Sequence, residues 1–499
     1  KLTLFERLKA EFPLGVVTLL SIPGIGPKKA YQLATELTIT TVDELEEAIH
    51  SGRVAALPRM GEKTADNILQ QIIAFRRKDQ RIPIGEATPI VDEILAGLRH
   101  LPGLKNISPA GSLRRFRETI GDIDIMGTAD DGEELMGAFI ALPVVSQVIA
   151  SGVTRASVIV AGGLQVDLRI VTHDRYGSSL QYFTGSKQHN IDLRERARKQ
   201  GLSLSEYGIA VLDTGKLEQY ANEEAFYNRL ELQYIPPEIR EGGTEIEKAA
   251  NHALPELIKQ ADIKGDTHVH TDWSDGRDSL EKMALAAREL GYEYIVITDH
   301  SAGRGVAHGL NSERLHQQAA EIREINGRLD DIRLLSGVEV DIRADGSLDT
   351  PDEALAELDV VVASVHSGLT EDREKMTGRI IRAMENPNVD IIGHPTCRLL
   401  GEREPVAADM EAIFQAAART GAALEINSLP SRLDLKDIHV HRARELGVKL
   451  VMGTDSHKED HLGFMRFGIG TARRGWCRTA DVLNTMPLIK FLQALVKAG

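Results

Sequence analysis

The second half of the chain repeats one pattern seven times: a short apolar run typical of a strand is followed by a segment with helical spacing. The seven runs are "IKGDTHVHT" (263–271), "YEYIVITDH" (292–300), "IRLLSGVEVDI" (332–342), "LDVVVASVHS" (358–367), "VDIIGHP" (389–395), "AALEINS" (422–428) and "VKLVMGTDSH" (448–457). This alternation is typical of a parallel sheet whose strands are joined by crossover helices. The pattern therefore predicts an α/β barrel or a near relative of one.

Residues able to bind metal ions gather at the ends of these runs. The candidates are His268, His270, Asp275, His300, Glu339, His366, His394, Asp455 and His457. Any one of these histidines is as easily a helix cap or a surface residue, but the strand ends of a parallel barrel converge on one mouth. Because a transition metal takes about four to six ligands, a set of this size fits two or three ions. Closely spaced ions of this kind catalyse phosphoester hydrolysis.

Three aspartates of the first half form a second candidate metal site. Asp122 and Asp124 lie two residues apart in a strand context, so their carboxylates share one face. Asp167 lies in a neighbouring apolar strand, "LQVDLRIV" (164–171). Such carboxylates repel one another unless divalent cations lie between them, as in two-metal polymerases and nucleases. A lone D-x-D pair, by contrast, is more often a solvated pair on an edge strand.

Groups that suit a triphosphate precede these aspartates. In "AGSLRRFRETIGDIDIMG" (110–127), Gly111 and Ser112 offer a backbone amide and a hydroxyl, and Arg114 and Arg115 offer guanidinium groups. Charge-assisted donors of this kind bind phosphate oxygens strongly.

A later segment, "LQYFTGSKQHNIDLRERARK" (180–199), combines aromatic, glycine and basic residues. Its candidate binding residues are Tyr182, Phe183, Gly185, Asn190 and Arg194. The basic run is also compatible with an ordinary solvated helix face.

The segment "LLSIPGIGPKKAYQL" (19–33) fits a helix-hairpin-helix: an apolar helix, a tight turn and a second helix. Gly24 and Gly26 would let backbone amides approach a DNA phosphate, with a monovalent cation possible at the turn, and Lys28 and Lys29 add positive charge. Such contacts position DNA without selecting a sequence. The alternative is an ordinary helical hairpin. A second copy at 57–69 is degenerate because it carries arginine at its first glycine position.

Charge and composition limit the class of protein. The net charge is −15, but residues 1–240 hold 28 Lys and Arg against 31 Asp and Glu, while residues 241–499 hold 31 against 43. The nearly neutral first half can still present a basic face to nucleic acid. The chain contains no long apolar stretch and only two cysteines, so we expect no membrane partner and a cytoplasmic, nucleoid-associated protein.

Six motifs of the second half, in this order, resemble those of the PHP (polymerase and histidinol phosphatase) domain. They are "THVHTDWSDG", "ITDHS", "GVEVDI", "ASVHS", "IIGHPT" and "GTDSH". The resemblance implies a distorted (β/α)7 barrel with up to three Zn²⁺ or Mn²⁺ ions. By analogy, the three ion sites are His268, His270, Glu339 and Asp455; Glu339, His366 and His394; and Asp275, His300 and His457.

The first half resembles DNA polymerase family X, the polymerase beta group, through its G-S, G-D-x-D and Y-F-T-G-S elements. The resemblance implies a nucleotidyltransferase palm in which Asp122, Asp124 and Asp167 are catalytic and bind two Mg²⁺ or Mn²⁺ ions. It further implies the nucleotide contacts, with Gly111, Ser112 and Arg115 at the phosphates, Tyr182 and Phe183 at the sugar, Gly185 and Asn190 at the nucleotide, and Arg194 at the nascent base pair.

Two positions depart from that family. Lys187 stands where polymerase beta has an acidic residue near the incoming base, and Gln165 stands where it has an arginine near the third aspartate. These differences bear on fidelity, metal preference and base contacts.

The expected organisation is multidomain, with helix-hairpin-helix fingers, an α+β nucleotidyltransferase palm with a fingers or thumb region, and the PHP barrel. The expected boundaries are 1–80 for the DNA-binding helices, 81–174 for the palm, 175–240 for the nucleotide-binding subdomain, 241–262 for a linker and 263–499 for the barrel. Residues 1–18 would be the tail of a lyase-type domain. Because the chain begins at Lys1, we expect an N-terminal segment to be missing.

These features predict a monomeric DNA polymerase that adds dNTPs to a primer end in gapped or nicked DNA during repair. The barrel would act as a 3′→5′ exonuclease. One alternative is a small-molecule phosphatase, similar to histidinol phosphatase, that the first half merely tethers. The other is a non-catalytic module that binds DNA ends.

Overall fold

A computed structural model of the chain describes residues 13, 15–20, 22, 25–79, 81–129, 131–303 and 305–495. Gly24 of the predicted DNA-binding turn and residues 1–12 and 14 of the predicted lyase-type tail, 1–18, lie outside the described residues. Among the residues that are described, no helix is long and apolar enough to cross a bilayer.

The N-terminal part is a bundle of helices. They are α1 (Val16–Leu20), α2 (Pro27–Glu36), α3 (Val42–His50) and α4 (Glu62–Asp79). Pro27 begins α2, where its missing N–H costs nothing, and Thr41 begins α3 through a capping box with Glu44. Arg59, at the glycine position of the degenerate second hairpin, has φ +67°, the left-handed backbone that glycine usually supplies.

The next part is an α+β domain around a five-stranded sheet. Its elements are β1 (Ile82–Pro83), α5 (Ile84–Leu98), β2 (Leu104–Pro109), α6 (Gly111–Arg114), β3 (Thr119–Ile120), β4 (Ile123–Ala129), α7 (Gly132–Ile140), β5 (Val145–Ser151), β6 (Arg155–Val160) and β7 (Gln165–Ile170). The strand order is β2-β4-β7-β6-β5, and β4 pairs with β7 in parallel. The parallel pair is central, so it is the part of the sheet best fixed by neighbours on both sides.

A smaller subdomain follows, with two helices, a three-stranded antiparallel sheet and a third helix. Its elements are α8 (Tyr176–Thr184), α9 (Lys187–Lys199), β8 (Leu202–Ser205), β9 (Gly208–Val211), β10 (Leu217–Glu218) and α10 (Glu223–Arg229). The predicted linker, 241–262, contains helix α11 (Glu245–Ala250). Its residues Ala249, Leu254 and Leu257 join the apolar core of the subdomain.

The second half is a parallel seven-stranded barrel, which confirms the predicted (β/α)7 architecture. Its elements are β11 (Gly265–Val269), α12 (Leu280–Glu289), β12 (Tyr294–Ile297), α13 (Ser312–Asn326), β13 (Arg333–Asp341), α14 (Asp352–Leu355), β14 (Val360–Ser364), α15 (Arg373–Glu385), β15 (Ile391–Ile392), α16 (Met410–Thr420), β16 (Ala423–Asn427), α17 (Asp437–Glu445), β17 (Leu450–Gly453), α18 (Met465–Arg474) and α19 (Leu488–Leu495). Strand order follows the sequence from β11 to β17. A parallel bridge between Val269 and Ser456 joins the first strand to the segment that follows the last one.

The palm and the barrel share an apolar core. Leu433 and Phe467 of the barrel belong to the same buried cluster as the palm strands. Phe116 of the palm lies against α18, with its ring centroid 6.1 Å from that of Phe467. A methyl group built on Gly470 would overlap the Phe116 ring, so only glycine permits this approach. The two halves therefore contact each other through a packed interface.

Candidate functional sites

The structure brings the three palm aspartates together. Asp124 on β4 and Asp167 on β7 are register partners in the parallel pair, and Asp122 precedes β4 by one residue. Burial, followed by the charges of Asp122 and Asp167, raises the pKa of Asp124 to about 6. A carboxylate whose charge is this unfavourable gains most from a divalent cation, so the residues present fit a metal site.

Basic and amide groups hold Asp167 in place. Arg155 Nη2 donates to Asp167 Oδ2 at 3.0 Å, and Gln165 Nε2 donates to Asp167 Oδ1 at 3.1 Å. Arg169 Nη2 lies 3.7 Å from Asp167 Oδ2 and its guanidinium stacks on the Phe183 ring, 4.5 Å from the centroid. Gln165 thus contacts the third aspartate itself, while arginines from β6 and β7 supply positive charge. Sequence reasoning missed Arg155, because its partner lies on a neighbouring strand.

The predicted phosphate-binding residues surround the start of α6. Gly111 has φ +58°, and a methyl group built on it would lie 3.1 Å from Asp124 Oδ2, so glycine keeps this approach open. The Ser112 hydroxyl is buried and makes no hydrogen bond with a described residue. Arg115 is 13% exposed at its side chain and donates Nη1 to the Thr184 carbonyl. An unpartnered buried hydroxyl and a guanidinium three residues further along the chain are compatible with an anionic ligand.

Arg114 does not point to this site. Its Nη2 donates to Glu223 Oε2 at 2.6 Å and its Nη1 donates to Thr184 Oγ1 at 2.7 Å. Arg240, which is fully buried, donates Nη1 to Glu223 Oε1 at 2.7 Å. Arg114 therefore connects the palm to the subdomain instead of offering a free guanidinium to a phosphate.

The predicted nucleotide-side residues lie around the turn between α8 and α9. Tyr182 and Phe183 pack edge to face with ring centroids 5.1 Å apart, and the Arg194 guanidinium lies 5.6 Å from the Tyr182 centroid. Asn190 Nδ2 donates to the Tyr182 carbonyl at 2.8 Å. Gly185 has φ +69°, and a methyl group built on it would lie 3.2 Å from Arg115 Nη1. This turn thus contacts the predicted phosphate-binding arginine.

The nine donors of the barrel meet at one end of the sheet, as the strand-end pattern predicts. Glu339 lies at the centre: its Oε1 is 2.8 Å from His394 Nε2 and 3.2 Å from His366 Nε2. Its Oε2 is 3.6 Å from the Nε2 atoms of both His268 and His270. A carboxylate shared in this way is suited to bridging two cations.

Of the other donors, Asp455 and His300 are buried, while Asp275 and His457 extend this centre towards solvent. Asp455 Oδ1 is 3.4 Å from His270 Nε2, and Asp275 lies 3.5 Å from His300 Nε2 and 3.4 Å from His457 Nε2. The donors form three groups, and within each group the ligand atoms lie within 4.8 Å of one another: His270, Asp275, His300 and His457; His268, His270 and Asp455; and His300, Glu339 and His366. These groups overlap with the three predicted ion sites without being identical to them, so the division among ions stays a prediction.

Burial and charge in the barrel site also fit cations. Burial, together with the neighbouring His457 and His300, lowers the pKa of His270 to about 3, and its Nδ1 makes no hydrogen bond with a described residue. A neutral imidazole is the form that binds a metal ion. Burial opposes protonation of His300, but the charge of Glu339 and a hydrogen bond to Asp275 outweigh it and raise its pKa to about 10. The proton on His300 offsets the negative charge of Glu339 and Asp275, which a bound cation would otherwise offset.

Two donors adopt unusual backbone conformations. His394 has φ +28° and Asp455 has φ +54°. Non-glycine residues in this region carry strain, and such strain concentrates at functional sites.

Sequence reasoning missed the residues that orient the donors. Glu425 Oε1 lies 2.7 Å from His268 Nδ1, and its Oε2 accepts from the His394 amide at 2.6 Å. Asp341 Oδ1 lies 2.5 Å from His366 Nδ1. The signal was present, because Asp341 lies two residues after Glu339 on one strand and Glu425 lies on a strand that supplied no candidate.

The predicted DNA-binding turn is partly described. Gly26 is the residue before α2, and nothing lies within 4 Å of a methyl group built on it. Lys28 is exposed and Lys29 is half-buried in the first turn of α2. The open backbone and the lysines are compatible with a phosphate contact.

Three family models match the chain. They are a SAM-like helix-hairpin-helix tandem over residues 16–72, the DNA polymerase beta thumb over 179–241 and the PHP domain over 266–429. Each match falls on one of the parts described above.

Similar proteins fall into two groups. The "DNA polymerase/3'-5' exonuclease PolX" of Bacillus subtilis (strain 168) is 42% identical over 499 residues, which is 100% of this chain and 87% of that protein. A protein named "probable phosphatase" from Thermoanaerobacter sp. (strain X514) is 32% identical over 232 residues, which is 44% of this chain and 89% of that protein. Another of that name, from Shewanella sediminis (strain HAW-EB3), is 32% identical over 243 residues, 46% of this chain and 92% of that protein.

Proposed function

The chain belongs to the PolX family, the bacterial family X DNA polymerases that carry a C-terminal PHP domain, and from this we propose that it runs two metal-dependent reactions on DNA. The polymerase half adds nucleotides to a primer 3′ end, and the barrel removes them from the 3′ end as an exonuclease. The observation that carries this proposal is that the likeness to the PolX relative spans both donor clusters in one chain.

In the polymerase half, we propose that Asp122, Asp124 and Asp167 are the catalytic residues and hold two divalent cations. When bound, these cations would favour ionisation of the primer 3′-hydroxyl and neutralise the charge of the triphosphate. Arg155 keeps Asp167 from turning away from Asp124, through the 3.0 Å bond to its carboxylate. Asp167 would lie nearest the primer 3′-hydroxyl.

The triphosphate and nucleotide would bind beside these aspartates. The Gly111 backbone, the Ser112 hydroxyl and the Arg115 guanidinium would contact the phosphates, which supplies the buried hydroxyl with a partner. The remaining nucleotide contacts would be made by Tyr182, Phe183, Gly185, Asn190 and Arg194.

In the barrel, we propose that the nine donors hold up to three cations. Bound cations would lower the pKa of the attacking water and neutralise the phosphodiester. Glu425 and Asp341 fix the rings of His268 and His366 through their Nδ1 atoms, which turns each Nε2 inward. Asp275 is 33% exposed at its side chain, so we propose that a DNA end approaches the site from its side.

Both halves depend on divalent metals. We propose Mg²⁺ or Mn²⁺ for the palm, because its donors are oxygens, and Zn²⁺ or Mn²⁺ for the barrel, where imidazoles predominate. A monovalent cation at the helix-hairpin-helix turn is part of the proposal.

DNA is the partner of this enzyme, and the helix-hairpin-helix tandem is a DNA-binding element. We propose that Gly24, Gly26, Lys28 and Lys29 contact a phosphate of a gapped or nicked duplex. We propose dNTPs as the substrates. We also propose that the chain works as a monomer on nucleoid DNA in repair. We propose the domain boundaries 1–80, 81–174, 175–240, 241–262 and 263–499 for designing variants.

A labelled gapped duplex, incubated with and without dNTPs under Mg²⁺, Mn²⁺ or Zn²⁺, tests the proposal. Asp122→Ala or Asp124→Ala should abolish lengthening of the primer and spare its shortening, while His268→Ala should do the reverse. Loss of lengthening in the His268→Ala variant would contradict this division of labour.

Neither alternative is favoured, because the match to PolX extends over the polymerase half as well as the barrel. Histidinol phosphate serves as the control substrate: strong turnover of it, with none on DNA ends, would favour a small-molecule phosphatase. Active preparations with empty metal sites would favour a non-catalytic DNA-end module.

A further inference from the structure

We propose that Arg474, a barrel residue, is a positioning residue for nucleotide addition, acting through Glu241 on the phosphate-binding Arg115. This inference rests on the proposed polymerase function, because the position of Arg115 matters to the reaction only if a triphosphate binds beside it.

Arg474 crosses from the barrel to the polymerase half. It is the last residue of α18 and is 5% exposed at its side chain. Its Nε and Nη2 both donate to Asp437 Oδ2, at 2.8 and 2.6 Å, which fixes the plane of the guanidinium. Its Nη1 then donates to the Arg115 carbonyl and to Glu241 Oε1, both at 2.8 Å. A weaker bond reaches the Glu238 carbonyl at 3.3 Å.

Glu241 is shared by the two arginines. The same atom, Glu241 Oε1, accepts from Arg115 Nε at 3.2 Å. Arg115 Nη1 donates a hydrogen bond to the Thr184 carbonyl. The remaining nitrogen, Arg115 Nη2, makes no hydrogen bond with a described residue. The guanidinium is thus held by two of its nitrogens, and the third remains for a phosphate oxygen. Arg474 fixes both ends of Arg115: the carbonyl directly and the side chain through Glu241.

The charges of these residues predict whether losing Arg474 raises or lowers the affinity for the nucleotide. Glu241 is an anion next to the proposed triphosphate site, and Arg474 neutralises part of its charge. Without Arg474, the Glu241 carboxylate would attract Arg115 more strongly, because its other cationic neighbour, Arg117 Nη1, lies farther away, 3.9 Å from Glu241 Oε2. The partly buried setting strengthens that attraction. A triphosphate would then compete with Glu241 for the Arg115 guanidinium. The affinity for the nucleotide should fall while the catalytic aspartates stay as they are.

Two neighbouring arginines of α18 provide matched controls. Arg473 donates Nε to Glu238 Oε1 at 2.7 Å, and Arg466 donates Nη1 to Asp92 Oδ2 at 3.0 Å. Both cross the same boundary, but neither contacts Glu241 or Arg115. Their loss weakens docking of the two halves without acting on the nucleotide site.

The test is single-nucleotide addition to a gapped duplex by the full chain, with KM for the dNTP and kcat measured separately. We expect Arg474→Gln to raise KM about tenfold with kcat changed less than about twofold, since it removes one charged hydrogen-bonding group. Arg474→Lys, which keeps the charge, should recover part of the loss. In a Glu241→Gln background, Arg474→Gln should add little, because the route through the carboxylate is already broken.

Three results would overturn the inference: an unchanged KM in Arg474→Gln, an equal rise in Arg473→Gln and Arg466→Gln, or effects at Arg474 and Glu241 that multiply as independent changes. Hydrolysis of DNA 3′ ends by the barrel reports whether each variant is folded. If Arg474→Gln fails to fold, Arg474→Lys and Glu241→Gln carry the same test, and a normal KM in both refutes the inference. Failure of the proposed function is distinct, because the wild-type chain would then add no nucleotide.

Discussion

Replacing Arg240 by methionine should destabilise the subdomain that follows the palm by about 3 kcal/mol, because it leaves a buried carboxylate short of a partner. Arg240 is fully buried, donates Nε to the Ile235 carbonyl at 2.8 Å and lies over the Tyr227 and Tyr234 rings, 5.1 and 5.5 Å from their centroids. Methionine keeps much of the apolar contact with these rings and removes the charge. The change therefore removes the ion pair with Glu223 together with the hydrogen bond to the Ile235 carbonyl.

The magnitude follows from Glu223. Burial by itself would raise the pKa of Glu223, but the charges of Arg240 and Arg114 and their hydrogen bonds outweigh it and lower the pKa from 4.5 to about 2. A shift of one pKa unit corresponds to about 1.4 kcal/mol, so ionised Glu223 with both arginines in place contributes about 3 kcal/mol to the free energy of unfolding at neutral pH, after the cost of its burial is subtracted. Since Arg240 is the more buried partner, most of this contribution should be lost with it.

The sign with pH is fixed by the direction of the shift. A carboxylate with a lowered folded-state pKa stabilises the fold above its unfolded pKa of 4.5, and this stabilisation disappears as the pH falls towards about 2. The difference in free energy of unfolding between wild type and Arg240→Met should therefore be full at pH 7 and about half as large at pH 3.

Urea unfolding followed by tryptophan fluorescence provides the assay. Trp476 packs in the apolar core of the subdomain, while Trp273, the other tryptophan of the chain, packs against the barrel core. A Trp273→Phe background therefore makes the fluorescence specific to the subdomain. Arg229→Met is the matched control, because the Arg229–Glu218 pair is partly exposed and should contribute less than about 1 kcal/mol. Equal losses in the two variants, or a difference independent of pH, would refute the reasoning.

Three further predictions concern the two sites and the interface. At limiting Mg²⁺, nucleotide addition should weaken as the pH falls through about 6, because Asp124 then takes up a proton and loses its charge; a flat rate from pH 7.5 to 5.5 would exclude this. Glu425→Gln should weaken metal binding or hydrolysis in the barrel by about 10- to 100-fold, because it loosens His268, and metal titration against unchanged nucleotide addition measures this effect. Gly470→Val should lower the thermal midpoint through a steric overlap with Phe116 worth about 1–3 kcal/mol, and an unchanged midpoint would contradict the packed interface.

The sequence was sufficient for the barrel because its signal is local. Each strand is a short apolar run, and most donors, such as His268 and Asp455, lie near the carboxyl end of a strand or just after it, so the topology alone brings them to one end. The same holds for Asp124 and Asp167, whose strands are both apolar. The sequence does not single out the edge strand β5, because its apolar residues do not alternate with polar ones and six of its seven residues are exposed.

The sequence was insufficient for contacts between distant parts of the chain. The role of Glu425 depends on a distance of 2.7 Å to His268, a residue 157 positions away. Arg114 was expected at the phosphates, and it instead bonds to Glu223, 109 positions away. The spacing of apolar residues along the sequence does not predict such pairs, because they depend on how whole domains pack against each other.

The shared core of the palm and the barrel has a practical consequence for dissecting the enzyme. Leu433 and Phe467 of the barrel pack in the apolar core of the palm. Expressing the polymerase half and the barrel as separate fragments would therefore expose apolar surface on each fragment. An isolated polymerase fragment that is inactive or insoluble would therefore reveal nothing about which residues perform the chemistry. Point substitutions in the intact chain are the way to separate its two reactions.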